Sequence, residues 1–186
     1  RLPNSEQAQS LWTQFKAAAE IAYAPCAVYF ATEKNVRLNN LSQRVIICES
    51  LEQYLLQQNW AQADWRSVEK VIDTAIKEFT RFHPVERSEE KQIKHRFDAA
   101  LKPIKDHLYQ EYRRVEQAKK SLLEKATSLL SAENTLDAAK QMQHLQQQWK
   151  EVGNGKHHVD QVLWKQFQDV GNQLFAKRRE YFDEKI

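Results

Sequence analysis

The stretch from Trp149 to Phe167, WKEVGNGKHHVDQVLWKQF, contains the residue types best able to do chemistry in this chain. Its Gly-x-Gly-Lys sequence at 153–156 could cradle a phosphate with backbone amides, and His157 and His158 could ligate a metal ion. A phosphate loop, however, needs a buried strand before it and a serine or threonine after the lysine. Here a helical pattern precedes the glycines and His157 follows the lysine. We therefore interpret the stretch as a polar joint between two helices.

Other signatures of catalysis are missing from the sequence. It contains no G-x-S-x-G, H-E-x-x-H or C-x-x-C pattern. Its two cysteines, Cys26 and Cys48, have no metal-ligand spacing and are too few for a disulfide framework, which favours reduced thiols in the cytoplasm. His95 and His107 would lie about 18 Å apart on one helix, too far to share an ion. We expect no catalytic activity, no cofactor and no metal site.

The composition favours long helices with few joints. Of 186 residues only 3 are glycine and 4 are proline, whereas 28% are charged. Sheets need frequent turn residues, so this balance predicts an all-α protein. No apolar run approaches the roughly 18–20 residues of a membrane span, and no signal-peptide pattern opens the sequence. These patterns predict a cytoplasmic protein without a membrane-embedded part.

Aromatic residues recur at a fixed spacing on both sides of the proposed joints. Trp149 precedes Phe167 by 18 residues, and Phe79 precedes Phe97 by the same 18. Residues repeated at such intervals indicate stacked helical units that bury a shared core. The predicted core of the units consists of Phe15, Phe79, Phe97, Trp149 and Phe167.

The repeats divide the chain into three copies of one unit. A shift of 70 residues aligns the second copy with the third, and a shift of 152 aligns LWTQF at 11–15 with LWKQF at 163–167. We expect the sequence to begin inside a joint and to end inside a long helix, so that the first copy is truncated at its start. The predicted copies are 1–62, 63–130 and 131–186.

Each copy is predicted to consist of a short helix, a joint and a long helix. Apolar residues spaced by three and four from Trp65 to Phe82 mark a short helix of about five turns. The joint follows, with Ser88 as the expected N-cap of a long helix that Pro103 should bend. Residues 35–40 are the best hinge candidate in the first copy. Together these elements predict an elongated array of alternating short and long helices, shaped like a rod or an arch.

The third copy resembles a bacterial helical repeat family known as domain of unknown function 349. The resemblance lies in LQQQWKEVG followed by LWKQFQDVGNQLFAKRREYF. The first copy departs from it, with Cys26 and Ala27 where the third has arginines, and the second copy is the most divergent. The resemblance implies a helical repeat protein with no known catalytic activity. The matching residues are Trp149, Lys150, Gly153, Leu163, Trp164, Phe167, Arg178, Arg179 and Phe182.

A non-catalytic scaffold that binds another protein along an extended surface is the function that these features favour. Helical repeats expose long surfaces, and tryptophan is enriched where proteins meet. The tryptophans could instead be core residues, which is the expectation for Trp65, Trp149 and Trp164. Trp60, in a connector, is the least explained. The sequence leaves the partner and the oligomeric state open.

Binding to the nucleic-acid backbone is the alternative. Net charge is only +3, but residues 63–130 hold 15 basic and 12 acidic side chains, whereas the other two copies are balanced. Six basic residues fall in one sector of the predicted long helix, opposite its apolar stripe, where they could track phosphates. Asp98 and Asp106 interrupt this sector at i,i+4 spacing, which is typical of a solvated helix face. The basic stripe consists of Lys91, Lys94, Lys102, Lys105, Arg113 and Lys120.

Overall fold

In the computed structural model of the chain, the structure describes residues 5–183, which form five α-helices and no strand. The predicted all-α class is confirmed, and short helices alternate with long ones. The expected joint at residue 1 and the end of the last helix lie outside the described residues, as does the side chain of Phe182. The helices are α1 (Ser5–Gln57), α2 (Trp65–Arg81), α3 (Arg87–Ser128), α4 (Thr135–Val152) and α5 (His157–Asp183).

The two short helices form where apolar residues repeat at helical spacing. In α2 the buried residues are Val68, Ile72, Ala75 and Phe79, spaced by four, three and four. Helix α4 buries residues at the same spacing, from Ala138 to Trp149. A stripe of this kind stabilises a helix only when another element covers it, because short helices are marginal alone in water.

The starts of the helices depend on local hydrogen bonds. The side chain of Asn134 caps α4 by accepting hydrogen bonds from two backbone amides of the first turn. The N-cap prediction for α3 was wrong, because that helix begins one residue before Ser88. The carbonyl of Glu86 accepts instead from the amides of Glu89 and Glu90, which sets the start of α3.

The chain forms two compact units that share α3. The first unit extends to Ile104 and the second begins at Lys105. In the first, the second half of α1 packs with α2, and Glu52 of α1 forms an ion pair with Arg96 of α3. The rings of Phe79 and Phe97 stack 4.0 Å apart. In the second, the remainder of α3 packs with α4 and α5. Its core contains Leu122, Ala126, Leu129, Ala138, Met142, Leu145, Trp149, Leu163, Phe167 and Leu174.

The prediction that Phe15 belongs to the core is wrong. Its side chain is 65% exposed, and every residue from 6 to 32 is exposed. The other predicted core residues, Phe79, Phe97, Trp149 and Phe167, are all buried. Burial of such a ring requires a short helix packed against the long one, and no described residue covers this part of α1. The first half of α1 therefore presents its apolar face to solvent.

Residues 35–40, the predicted hinge, are an anchored part of α1. The guanidinium Nε of Arg37 donates to Oε1 of Glu86 over 2.8 Å, and the amide of Asn40 donates to the carbonyl of Pro84 over 2.8 Å. Both acceptors lie in the joint between α2 and α3. The prolines do not end the helices, because α1 continues through Pro25 and α3 through Pro103.

Candidate functional site

The glycine-rich stretch is a joint whose glycines are needed by the backbone. Gly153 ends α4 with φ of 93°, a left-handed conformation that glycine adopts at little cost. Gly155 lies against α3, where an added Cβ would come within 2.9 Å of Val115 Cγ1. Its amide donates to Asp160 Oδ2 over 3.0 Å. The positive φ of Gly153 and the close approach of Gly155 to α3 thus explain both glycines without a phosphate.

The same carboxylate also receives a buried cation. Lys119 of α3 is 4% exposed, and its Nζ lies 2.7 Å from Asp160 Oδ2. The ammonium also lies 5.3 Å from the centre of the Trp149 ring. Asp160 therefore joins α3, the joint and the first turn of α5, while the ring of Trp149 covers the ammonium.

A second buried cation holds the first unit together in the same manner. Arg44 of α1 is 6% exposed, its Nε donates to the carbonyl of Phe79 over 3.1 Å, and its guanidinium lies 4.4 Å from the centre of the Phe79 ring. Burial lowers the pKa of Arg44, and the charge of Glu90 opposes that shift. Glu90 precedes Asp160 by 70 residues. Glu90 lines the same cavity as Arg44, whereas Asp160 forms a direct ion pair with Lys119.

Sequence reasoning missed these two cations, although a signal for them was present. Both interrupt stripes of otherwise uncharged buried residues on long helices, such as Asn40, Arg44, Cys48 and Leu51 on α1. A basic residue at a stripe position indicates a cation covered by an aromatic ring or paired with an acid. Their contacts are made within the protein, which gives them a structural role.

The first unit also contains an open cavity of about 360 Å³ beside the buried arginine. Two of the charged groups that line it form contacts within the protein. Arg44 bonds to the backbone of α2, and Lys94 Nζ lies 2.7 Å from Asp98 Oδ2. Among the described residues, no group of three histidine, cysteine, aspartate or glutamate side chains is arranged to hold a metal ion.

The basic stripe predicted from the sequence lies entirely on α3. Lys91, Lys94, Lys102, Arg113 and Lys120 are exposed, and Lys105 is half-buried. Acidic neighbours one turn away pair with stripe residues, among them Lys94 and Lys120. Besides the pair of Lys94 with Asp98, Lys120 Nζ lies 2.6 Å from Glu116 Oε1. Such pairs reduce the positive potential that a phosphate backbone would meet.

The tryptophans differ in their surroundings. Trp149 is buried, whereas the ring of Trp164 is partly exposed beside Trp149 and Phe167. Trp60 packs between Tyr54 and Trp65, and its indole Nε1 donates to a backbone carbonyl at the end of α1. The unexplained connector tryptophan thus fixes the turn between α1 and α2. Trp12 is the most exposed of the five, at 64%.

An exposed apolar surface on the first half of α1 is the site candidate that internal contacts do not account for. At 100° per residue its members fall within a sector of about 120°. The rings of Trp12 and Phe15 stack within it, 5.9 Å apart at 27°. Trp164 and Phe167 on α5 repeat that pair at 6.2 Å and 27°. We call this surface the Phe15 face, and it consists of Leu11, Trp12, Phe15, Ala19, Ala22, Cys26 and Phe30.

The Phe15 face has buried counterparts on both other long helices. Its four central positions, Leu11, Phe15, Ala19 and Ala22, follow one another at intervals of four, four and three residues. In α3 the same intervals select Ile93, Phe97, Leu101 and Ile104, and in α5 they select Leu163, Phe167, Gly171 and Leu174. All eight of these counterparts are buried. The Phe15 face thus has the spacing of a surface against which another helix packs. Of the three equivalent surfaces on α1, α3 and α5, it is the one that no described residue covers.

Comparisons with known proteins identify the family. A family model described as Domain of Unknown Function (DUF349) matches residues 10–88 and 91–157. No curated protein and no solved structure matches. None of the helices over residues 5–183 is long and apolar enough to cross a membrane. The first matched segment extends from α1 to the first turn of α3, and the second extends from α3 to the first residue of α5. Together they cover most of the sequence, and the chain belongs to the DUF349 family.

Proposed function

We propose that this chain is a non-catalytic helical repeat scaffold that binds a protein partner through the Phe15 face. One observation carries the proposal: α1 exposes an apolar surface whose counterparts on α3 and α5 are both buried. The proposed setting is the cytoplasm, where the free thiols of Cys26 and Cys48 would stay reduced.

The composition of the Phe15 face supports a protein ligand. Contiguous apolar surface on a folded protein marks an interaction site, and Trp and Tyr side chains are enriched among residues that dominate binding energy. Trp12, Phe15 and Phe30 supply three exposed aromatic rings on one side of α1. Charged side chains are largely absent from this sector, so a partner would bury apolar surface without leaving ionic groups unpaired.

Photocrosslinking tests the proposal at the face itself. A benzophenone amino acid replaces Trp12 in the full chain, which is then irradiated in an extract of cells that make the protein. We expect a discrete adduct, mapped by mass spectrometry to a defined segment of the partner, that disappears when Phe15→Asp is added. The matched control carries the benzophenone at Ile21, an exposed apolar residue on the opposite side of α1. Equal labelling from both positions, or none from position 12, would refute the proposal.

A further inference from the structure

We infer that the open cavity beside Arg44 binds a small zwitterion, a molecule of the amino-acid type that carries one carboxylate and one ammonium group. The carboxylate of the ligand pairs with the terminal nitrogens of Arg44, and its ammonium lies at the carboxylate of Glu90. This site is separate from the Phe15 face, because Arg44 follows Phe30 by 14 residues, about 21 Å farther along α1. The inference therefore goes beyond the proposed scaffold function and does not depend on it.

Three helices and a joint of the first unit form the cavity. Arg44 comes from α1, two residues come from the last turn of α2, and Glu90 comes from the first turn of α3. Its volume of about 360 Å³ lies within the range of small-molecule sites, and its open side lets a ligand enter. Contacts outside the cavity, such as the Glu52–Arg96 ion pair, hold α1 against α3. The lining residues are Arg44, Phe79, Thr80, His83, Glu90 and Lys94.

Arg44 supplies a buried cation with donors to spare. It is 6% exposed, and its Nε donates to the carbonyl of Phe79, which engages one of the five N–H groups of a guanidinium. No other hydrogen bond and no ion pair joins its side chain to a described residue. No fully buried polar side-chain atom in the described part of the chain lacks a partner, so the terminal nitrogens open into the cavity. Two such nitrogens match the two oxygens of a carboxylate.

The second unit shows what a direct partner for a buried cation looks like. Each unit places one buried cation over the aromatic ring of its short helix, and in the second unit Lys119 Nζ lies 2.7 Å from Asp160 Oδ2. Glu90 aligns with Asp160 in the repeat, yet no ion pair joins it to Arg44 among the described residues. A buried charge without a direct partner is costly. A ligand carboxylate would do for Arg44 what Asp160 does for Lys119.

Glu90 places the opposite charge in the same cavity. Its side chain is exposed, and it makes no hydrogen bond or ion pair with another described residue. Its charge opposes the lowering of the Arg44 pKa by burial, which puts the two groups within electrostatic range of each other. An ammonium group at Glu90 would form an ion pair there, whereas a second negative charge on the ligand would be repelled.

The other cation of the cavity already has a partner. Lys94 Nζ lies 2.7 Å from Asp98 Oδ2. Of the lysine, arginine and acidic side chains known to line the cavity, Arg44 and Glu90 are therefore the two without a direct ion pair. They carry opposite charges, so the complementary ligand carries one charge of each sign. Such a ligand also adds no net charge to the site.

The experiment titrates the intact, nitrogen-labelled chain with glycine, β-alanine and γ-aminobutyrate, which separate carboxylate from ammonium by increasing lengths. The side-chain N–H resonances of Arg44 are followed by NMR at constant ionic strength. We expect at least one zwitterion to shift them saturably and to bind at least about threefold tighter than its matched carboxylate (acetate, propionate or butyrate). The matched amines, which lack the carboxylate, should leave these resonances in place.

Three variants assign the two charges. Glu90→Gln, at an exposed position, should reduce the affinity for the zwitterion to that of the matched carboxylate. Arg44→Lys keeps the charge and removes the paired nitrogens, so binding should be lost. Glu89→Gln, the neighbouring acid in the first turn of α3, should bind like the original protein. Circular dichroism verifies folding, and Glu90→Gln carries the test alone if Arg44→Lys does not fold.

Several outcomes contradict the inference. It fails if none of the three zwitterions gives a saturable shift, or if a zwitterion binds no tighter than its matched carboxylate. Binding that Glu90→Gln leaves unchanged overturns it as well. Tighter binding of inorganic phosphate than of the zwitterions would also refute it, because the cavity would then select negative charge alone. The crosslinking result at position 12 is independent of these titrations, so the scaffold function stands or falls separately.

Discussion

Phe15 and Phe167 occupy the same place in the repeat, yet one ring is 65% exposed and the other 1%. Their neighbours along the helix are alike, since each follows a Leu-Trp pair and each stacks on the tryptophan three residues earlier. The difference comes from α4, whose Trp149 covers Phe167 from the other side. At the residue scale, burial is a property of the covering helix and not of the aromatic residue itself.

Alanine at the two positions should therefore have very different effects. Phe167→Ala empties a closed core site and should lower the free energy of unfolding by about 3–5 kcal/mol. Phe15→Ala removes a ring that is already in solvent, and its effect should stay within about 0.5 kcal/mol. Urea denaturation followed by circular dichroism measures both. Equal destabilisation by the two substitutions would mean that the first half of α1 is covered in solution.

At the scale of the helices, the joints and the contacts between helices are the features to consider. The joint between α4 and α5 combines exposed side chains, Lys156, His157 and His158, with glycines that the backbone geometry requires. The contact between α1 and α3 contains a bidentate ion pair, in which two guanidinium nitrogens of Arg96 each lie 2.9 Å from a carboxylate oxygen of Glu52. The first feature sets where the helices turn, and the second links two long helices of the first unit.

Substitutions in the joint between α4 and α5 distinguish the contribution of its exposed side chains to stability from that of its glycines. Replacing Lys156, His157 and His158 together by alanine should change the unfolding free energy by less than about 0.5 kcal/mol, because exposed joint residues contribute little. Gly155→Ala should instead destabilise the protein, since its Cβ would press on Val115. Thermal unfolding compares the two variants. Loss of a nucleotide- or metal-dependent property in the triple variant would restore the phosphate-loop interpretation.

The Glu52–Arg96 pair gives a prediction about pH. Its hydrogen bond to Arg96 lowers the pKa of Glu52 below the ordinary 4.5. A carboxylate whose pKa falls on folding stabilises the folded state above its unfolded pKa and loses that contribution as pH falls through its folded value. Glu52→Gln should thus lower the urea midpoint at pH 7, and the difference should shrink below pH 4.5. Glu20→Gln, at an exposed position on the same helix, should show no such trend.

At the scale of the whole molecule, charge is the property that separates a protein scaffold from a nucleic-acid binder. The excess of basic residues lies in 63–130, but the net charge is only +3 and two residues of the basic stripe, Lys94 and Lys120, form ion pairs with acidic neighbours. A phosphate track depends on uncompensated charge, because its binding energy comes from the release of counterions. These features favour a protein partner over DNA or RNA.

A salt titration tests that preference. Duplex DNA should bind the chain no tighter than about 10⁻⁴ M near physiological salt. Glutamate at Lys94, Lys102 and Lys105 should weaken this binding no more than glutamate at three exposed lysines elsewhere, Lys140, Lys150 and Lys165. Fluorescence anisotropy at two salt concentrations provides the measurement. Sub-micromolar affinity that only the first triple variant loses would instead establish the basic stripe as a phosphate-binding surface.

Much of the fold could be predicted from the sequence, and the remainder could not for physical reasons. The spacing of Val68, Ile72 and Phe79 directly predicts a helix, because side chains three and four residues apart share a face. Exposure of Phe15 was unpredictable, since the position has the pattern of a core residue and its burial depends on a covering helix that no described residue supplies. Arg44 and Lys119 were missed because a charged side chain is normally expected at the surface. Their burial can be explained only once the neighbouring rings and acidic residues are known.

Helix α3 crosses from one compact unit to the other beside Pro103, and this position has a consequence for cooperativity. Proline there leaves the carbonyl of Ala99 without its usual backbone donor, and the boundary between the units, Ile104 to Lys105, follows directly. Repeat proteins unfold as one body only when the coupling between neighbours exceeds the differences in their intrinsic stability. A weak junction allows the first unit, which carries the Phe15 face, to melt and refold while the second stays intact. We expect calorimetry to show two unfolding steps, and a partner that binds the Phe15 face to raise the melting temperature of the first unit alone.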